Sequence, residues 1–134
     1  MIFVISSFII HLSLFGQNKI AQLYALKFPG NSSRLTKQNK AILNDVAKVM
    51  KNEPDSYFAI TSYCITENQQ TNKSNWDRVN KIISYLVKTQ DIKADRFIFR
   101  YGTESETCNT IDLRYTEDTL SNKPPPNFKK IKSN

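Results

Sequence analysis

The stretch that decides the fold runs from Tyr57 to Val87 and reads YFAITSYCITENQQTNKSNWDRVNKIISYLV. Its first seven residues, Tyr57–Tyr63, are rich in aromatic and β-branched side chains, which is typical of a strand. A polar loop follows, and we expect a helix with Ser74 or Asn75 as its cap and its end at Lys88. Apolar side chains recur at helical spacing in that helix: Val79, Ile82, Ile83, Leu86 and Val87. The stretch therefore predicts a strand followed by an amphipathic helix.

Strand and helix signals alternate on both sides of this stretch. Before it, Ala21–Phe28 predicts a strand, and the next helix is capped by Thr36 and stopped by residues 52–54, Asn-Glu-Pro. After it, Arg96–Tyr101 and Thr110–Tyr115 alternate apolar and polar side chains and predict two more strands. The order is β-α-β-α-β-β, and strands joined by crossover helices run parallel with both helices on one face. The predicted fold class is an α/β two-layer sandwich with a mixed four-stranded sheet.

Composition limits the chemistry that the chain can perform. Its 134 residues suffice for one compact domain, and its three glycines are too far apart for a phosphate-binding loop or a dinucleotide fingerprint. The one histidine, His11, lies in a segment that we expect to be removed, so no imidazole remains for general-base catalysis or metal binding. The two cysteines are too few for an all-cysteine zinc site. The sequence thus predicts a binding or structural module that is not an enzyme and has no cofactor.

The N-terminal residues resemble a targeting segment. Ile2–Phe15 is apolar but, at about 14 residues, shorter than the ~20 that span a bilayer, and Gly16 offers a cleavage point. We therefore predict a signal peptide over residues 1–16, export, and a mature chain without a transmembrane segment; a buried N-terminal strand or helix is the alternative. Export also removes nucleic acid as a partner. The mature domain is expected over residues 20–118.

The C-terminal residues 119–134 form a Pro/Lys-rich segment. The run Pro124–Pro126 blocks helix formation and sheet pairing alike, so we predict an extended, flexible tail. Four of its residues are lysines, and they supply much of the net charge of +7. Two interpretations stay open: a solvated tail, or an electrostatic tether to an anionic surface.

The order and spacing of several motifs resemble one known family, the OmpA-like C-terminal domains of outer-membrane protein A, peptidoglycan-associated lipoprotein and flagellar-motor stator proteins. Ser33 and Leu35 before the first helix are similar to the family's F…S…L segment. Asp77-Arg78-Val79 with Tyr85-Leu86 in register resembles its R-A-x-x-V-x-x-Y-L helix, and Ile92–Phe97 resembles its I-x-x-x-R-I linker. The resemblance implies noncovalent peptidoglycan binding in the periplasm or at the outer membrane. The alternative is a degenerate domain that acts as a structural module or binds an envelope protein.

The resemblance also implies a site for the diaminopimelate of the stem peptide, made from an aspartate after strand two and an arginine early in helix two. Arg78 matches the arginine, but Ile65 occupies the position of the aspartate, so Glu67 is the candidate replacement. The predicted ligand-binding residues are Arg78, Glu67, Thr66, Tyr63, Asn72 and Asn75. The alternative is that Glu67 is a solvated loop acid and Arg78 a surface arginine that packs its stem on Tyr63 or pairs with Asp77 or a neighbouring acid.

The resemblance also implies where the two cysteines lie relative to each other. Strands two and four are antiparallel neighbours there, so the resemblance implies that Cys64, at the end of strand two, lies beside Cys108, at the start of strand four. Disulfides persist in exported proteins. A Cys64–Cys108 disulfide is therefore predicted, with two free thiols as the alternative.

Overall fold

The structure, a computed structural model, describes residues 22–64, 69–102, 108–128 and 131. The predicted signal peptide lies outside the described residues. The elements follow the predicted order β-α-β-α-β-β. The strands are β1 (Leu23–Lys27), β2 (Tyr57–Tyr63), β3 (Phe97–Gly102) and β4 (Thr110–Thr116). The helices are α1 (Lys37–Asn52) and α2 (Gln69–Ser84), and α2 continues as a π-helical turn over Tyr85–Thr89. A short 3-10 turn, Ala94–Arg96, precedes β3.

The four strands form one mixed sheet in the order β1-β4-β2-β3. β2 and β3 are parallel, whereas β4 is antiparallel to both of its neighbours, β1 and β2. β1 and β2 therefore point the same way, as strands joined by crossover helices should. This arrangement puts the end of β2 and the start of β4, the two central strands, side by side at one end of the sheet. We call this place the corner between β2 and β4, and the candidate site lies there.

One hydrophobic core joins the sheet to both helices. Alternate residues of the strands are buried, as Phe58 and Ile60 on β2 and Ile111 and Leu113 on β4 show. These side chains form one cluster with the apolar stripes of the helices, among them Leu43, Val46, Met50, Ile82, Ile83 and Leu86. Because one face of the sheet and both helices share this cluster, the helices lie on the same face. The predicted α/β two-layer sandwich is confirmed.

The two helices differ in how well the sequence predicts their beginnings. α1 begins after Thr36, whose Oγ1 accepts a hydrogen bond from the Asn39 N–H at 3.0 Å, as predicted. The predicted start of α2 is wrong, because the helix already begins at Gln69 and contains Ser74 and Asn75. No glycine or proline interrupts residues 69–75, and the Asn75 amide bonds to other parts of the fold instead of capping the helix.

The segment after β4 lies along β3, the edge strand. The Phe99 N–H donates to Ser121 Oγ at 3.0 Å, the Asn122 N–H donates to Phe99 O at 2.8 Å, and the Tyr101 N–H donates to Asn122 Oδ1 at 2.9 Å. The Phe128 ring meets the Phe99 ring edge to face, with 4.9 Å between centroids. Side-chain acceptors thus satisfy backbone groups of the sheet edge where prolines prevent a regular strand. The described part of this segment lies against the sheet, and the flexibility of residues 119–134 stays a prediction.

Gly102, the last residue of β3, lies close against the Tyr63 ring. A Cβ atom placed on Gly102 would overlap Cδ1 and Cε1 of the Tyr63 ring. We expect Gly102→Ala to lower the free energy of unfolding by about 2 kcal/mol, because the ring has to move. Urea unfolding measures this loss. In a Tyr63→Ala background, which makes room, the same substitution should cost less; an equal cost in both backgrounds would show that the ring is not the cause.

Candidate functional site

Arg78 lies on α2, and its guanidinium is buried at the corner between β2 and β4. Its side chain is among the largest in the interior, and the residue is only 2% exposed. Nε donates to Ser32 O at 2.8 Å and Nη2 to Gly30 O at 2.6 Å, both in the loop after β1. Nη1 donates to Cys108 O at 3.3 Å and to Asn75 Oδ1 at 3.0 Å. The guanidinium therefore joins three separate parts of the chain.

The surroundings of Arg78 are polar but uncharged. Its four acceptors are three backbone carbonyls and one amide oxygen. The guanidinium carbon also lies 5.3 Å from the centroid of the Phe28 ring, which is close enough for a cation–π interaction. Burial lowers the pKa of Arg78, yet an arginine normally stays charged because its ordinary pKa is so high. The site is thus a buried cation held by dipoles and an aromatic face.

Asn75 connects this cation to the end of β2. The residue is completely buried, its Nδ2 donates to Tyr63 O at 2.8 Å, and its Oδ1 accepts from Arg78. Both ends of the amide are therefore paired within the protein. Of the predicted site residues that the structure describes fully, Arg78, Asn75 and the backbone of Tyr63 come together.

The Tyr63 side chain points to β4 instead of to Arg78. Its hydroxyl donates to Asp112 Oδ2 at 2.6 Å. This hydrogen bond is the main reason that the pKa of Tyr63 is raised to about 12, and burial of the ring adds to it. The alternative of a surface Arg78 whose stem packs on Tyr63 is wrong, since Arg78 is buried and its ring partner is Phe28.

The raised pKa of Tyr63 predicts a pH dependence of stability. The folded state holds this proton up to about pH 12, whereas an unfolded tyrosine loses it near pH 10. Between these values the unfolded state binds fewer protons, so stability should fall as the pH rises. Tyr63→Phe is expected to reduce that fall, as measured by urea unfolding from pH 9 upward. Tyr57→Phe, which removes an exposed hydroxyl, is the control. Equal slopes in wild type and Tyr63→Phe would contradict the assignment.

The remaining predicted site residues are not placed. Glu67 and Thr66 lie outside the described residues, and Asn72 belongs to α2 but its side chain is outside the described part. Their ligand-binding role stays a prediction. Sequence reasoning did not identify the carbonyls of Gly30, Ser32 and Cys108, since a backbone acceptor leaves no mark in the residue type. Phe28 carried a usable signal, an aromatic residue at the end of the first strand.

A disulfide joins Cys64 to Cys108, as predicted, with 5.3 Å between their Cα atoms. It ties the end of β2 to the start of β4, and the Cys108 carbonyl is also an acceptor of Arg78. The same corner is therefore fixed twice, once covalently and once by the guanidinium. Within the described ranges, no three His, Cys, Asp or Glu side chains come close enough to hold a metal ion. Over the same residues, no helix has the length and apolar composition that crossing a bilayer requires.

Comparison with known proteins shows what fold this is. The sequence matches no protein-family model and no curated protein. By structure it is similar to the OmpA-like domain of FopA1 from Francisella tularensis, with 13% identity, a TM-score of 0.56, and coverage of 68% of this chain and 69% of that one. An outer membrane protein from Borrelia burgdorferi has 16% identity, a TM-score of 0.54, and coverage of 75% and 87%. A MotB-like protein from Desulfovibrio vulgaris has 8% identity, a TM-score of 0.55, and coverage of 72% and 73%. The chain therefore has the fold of the OmpA-like domains.

Proposed function

We propose that this chain is a non-catalytic domain of the cell envelope that associates noncovalently with peptidoglycan. The observation that supports this most directly is the position of Arg78 in an OmpA-like fold. It lies on α2, between the end of β2 and the start of β4, where the sequence resemblance puts the family's ligand arginine. Likeness to an outer membrane protein and to a MotB-like protein supports the envelope location.

The finer form of the proposal is a grip on diaminopimelate by Arg78 together with Glu67. A bidentate grip on a carboxylate requires two neighbouring N–H groups of one guanidinium. A guanidinium has five N–H groups, and Arg78 already makes four hydrogen bonds inside the protein. We therefore assign Arg78 a positioning role: it fixes the loop after β1, and contact with the wall falls to residues that remain exposed.

The second candidate is a structural or protein-interaction module without wall binding. The same four hydrogen bonds favour it, since Arg78 finds its hydrogen-bond acceptors within the protein and not on a ligand. An envelope protein would then be the partner. The two candidates differ in one measurable property, which is saturable binding to the isolated wall.

Co-sedimentation of the purified protein with isolated sacculi tests the proposal. We expect saturable pelleting that persists at about 0.15 M ionic strength, where attraction between exposed charges more than about 8 Å apart is largely screened. Glu67→Gln tests the predicted carboxylate, and its control is Asp91→Asn, an exposed position after the far end of α2. Weaker pelleting of Glu67→Gln alone would support a wall contact by Glu67, the part of the finer form that does not require a free Arg78. Absence of saturable pelleting by the wild type would overturn wall association and leave the interaction module.

A further inference from the structure

A groove with a strongly basic lining lies beside the loop that Arg78 holds. Two adjoining depressions, of about 460 and 400 Å³, share Ser32, Arg34, Leu35 and Lys40. Lys37 lines one of them and Lys81 of α2 lines the other. We call these together the basic groove, defined by its cations Arg34, Lys37, Lys40 and Lys81.

The basic groove has no acidic residue in its lining. Asp77, which also lies on α2, lines a third depression that adjoins the groove at Ser33 and Lys81, and its carboxylate is paired with Lys73 at 2.8 Å. The remaining polar groups of the groove are the hydroxyl-bearing residues Ser32, Ser33 and Thr36. Four cations with neutral hydrogen-bonding neighbours make a surface that is complementary to an anion with several charges.

Helix stability does not account for these lysines. Lys37 is the first residue of α1 and Lys40 lies in the same turn, in which there is no acidic residue. The positive end of the helix dipole disfavours cations at this position. The two lysines therefore lie where they oppose the stability of the helix, as residues that serve binding can do.

The loop that carries Arg34 is also held in place. Arg78 bonds the carbonyls of Gly30 and Ser32, and the Arg34 N–H donates to Ser32 Oγ at 3.1 Å. A loop that is fixed before the ligand arrives loses less conformational entropy on binding. The hydrogen bonds that Arg78 makes inside the protein therefore also fix the loop that lines the groove.

We infer that the basic groove binds the carboxylates of peptidoglycan stem peptides, an inference that rests on the proposed wall association. A membrane surface is the less suitable partner, because interfacial binding is strengthened by exposed apolar side chains next to the cations. Among the described residues the exposed large hydrophobic side chains are Leu23, Tyr57 and Leu120, and none of them lines the groove. A hydrated polymer that carries repeated carboxylates fits the lining.

A charge-matched pair of triple variants tests the inference. The groove variant is Lys37→Gln/Lys40→Gln/Lys81→Gln. The control removes the same charge from exposed lysines outside the groove: Lys48→Gln/Lys51→Gln/Lys93→Gln. In sedimentation with sacculi we expect the groove variant to bind about tenfold more weakly and the control less than about twofold. The groove variant should unfold at the same or a higher urea concentration than the wild type, because it loses the unfavourable lysines at the start of α1.

Two further binding measurements identify the ligand. The set of results also distinguishes failure of the groove inference from failure of the proposed function. Sacculi whose carboxyl groups have been converted to amides should bind the wild type more weakly than untreated sacculi do. If wild type pellets but both triple variants weaken equally, or neither weakens, the groove inference is wrong while wall association stands. Unchanged binding to amidated sacculi, or tighter binding to phosphatidylglycerol vesicles, would overturn the carboxylate assignment. If the wild type does not bind sacculi at all, the proposed function itself fails.

Discussion

Arg78→Met is expected to lower the free energy of unfolding by about 4 kcal/mol. Methionine keeps much of the apolar stem but removes the donors to Gly30 O, Ser32 O and Cys108 O. These hydrogen bonds are partly buried, and a carbonyl shielded from water that loses a charged donor makes the loss larger than that of an exposed hydrogen bond. Urea unfolding at neutral pH measures it.

Two companion variants make the cause of this loss visible. Arg34→Met removes an equal charge from the neighbouring loop at an exposed position and should change stability by no more than about 0.5 kcal/mol. Arg78→Lys keeps the charge but provides one ammonium in place of a planar fork, so it should lie between wild type and Arg78→Met. If Arg78→Met were as stable as Arg34→Met, the guanidinium would not be holding the corner, and the positioning role would be wrong.

The regular parts of the fold could be predicted because they depend on local patterns. The strand over Tyr57–Tyr63 agrees with the prediction at both ends, and Thr36 caps α1 as expected. Period-2 burial and a side-chain cap are both determined by a few neighbouring residues. The predicted cap, Ser74 or Asn75, puts the start of α2 six or seven residues too late, because Asn75, a good capping residue, serves a contact with Tyr63, twelve positions away in the chain.

The candidate site and the C-terminal segment could be predicted only in part, for a related reason. Arg78 and the disulfide followed from the resemblance, but the acceptors that bury Arg78 are backbone carbonyls, which no residue pattern encodes. In the C-terminal segment the prolines correctly exclude helix and strand. They do not exclude docking through Ser121 and Asn122, which depends on the free edge of β3. Contacts that need a finished sheet cannot be derived from the segment alone.

The second large effect is expected from the Cys64–Cys108 disulfide, whose cysteines are 44 positions apart. Closing a loop of this length restricts the unfolded chain by about 4 kcal/mol in the chain-entropy treatment. Cys64→Ser/Cys108→Ser should therefore unfold at a clearly lower urea concentration than the oxidised wild type. Reductant should destabilise the wild type to a similar degree and leave the double variant unchanged. Equal midpoints for oxidised and reduced wild type would contradict this expectation.

The disulfide and Arg78 should also be energetically coupled, because both hold Cys108 at the start of β4. Once the disulfide is absent, β4 can shift at this end, and part of what Arg78→Met removes is already lost. The triple variant that combines Arg78→Met with both serines should then lose less than the sum of the two effects, by about 1 kcal/mol. Guanidine or urea unfolding of the four proteins in this cycle measures the difference. Strict additivity would mean that the covalent bond and the guanidinium stabilise the corner independently, so that losing one leaves the other's contribution intact.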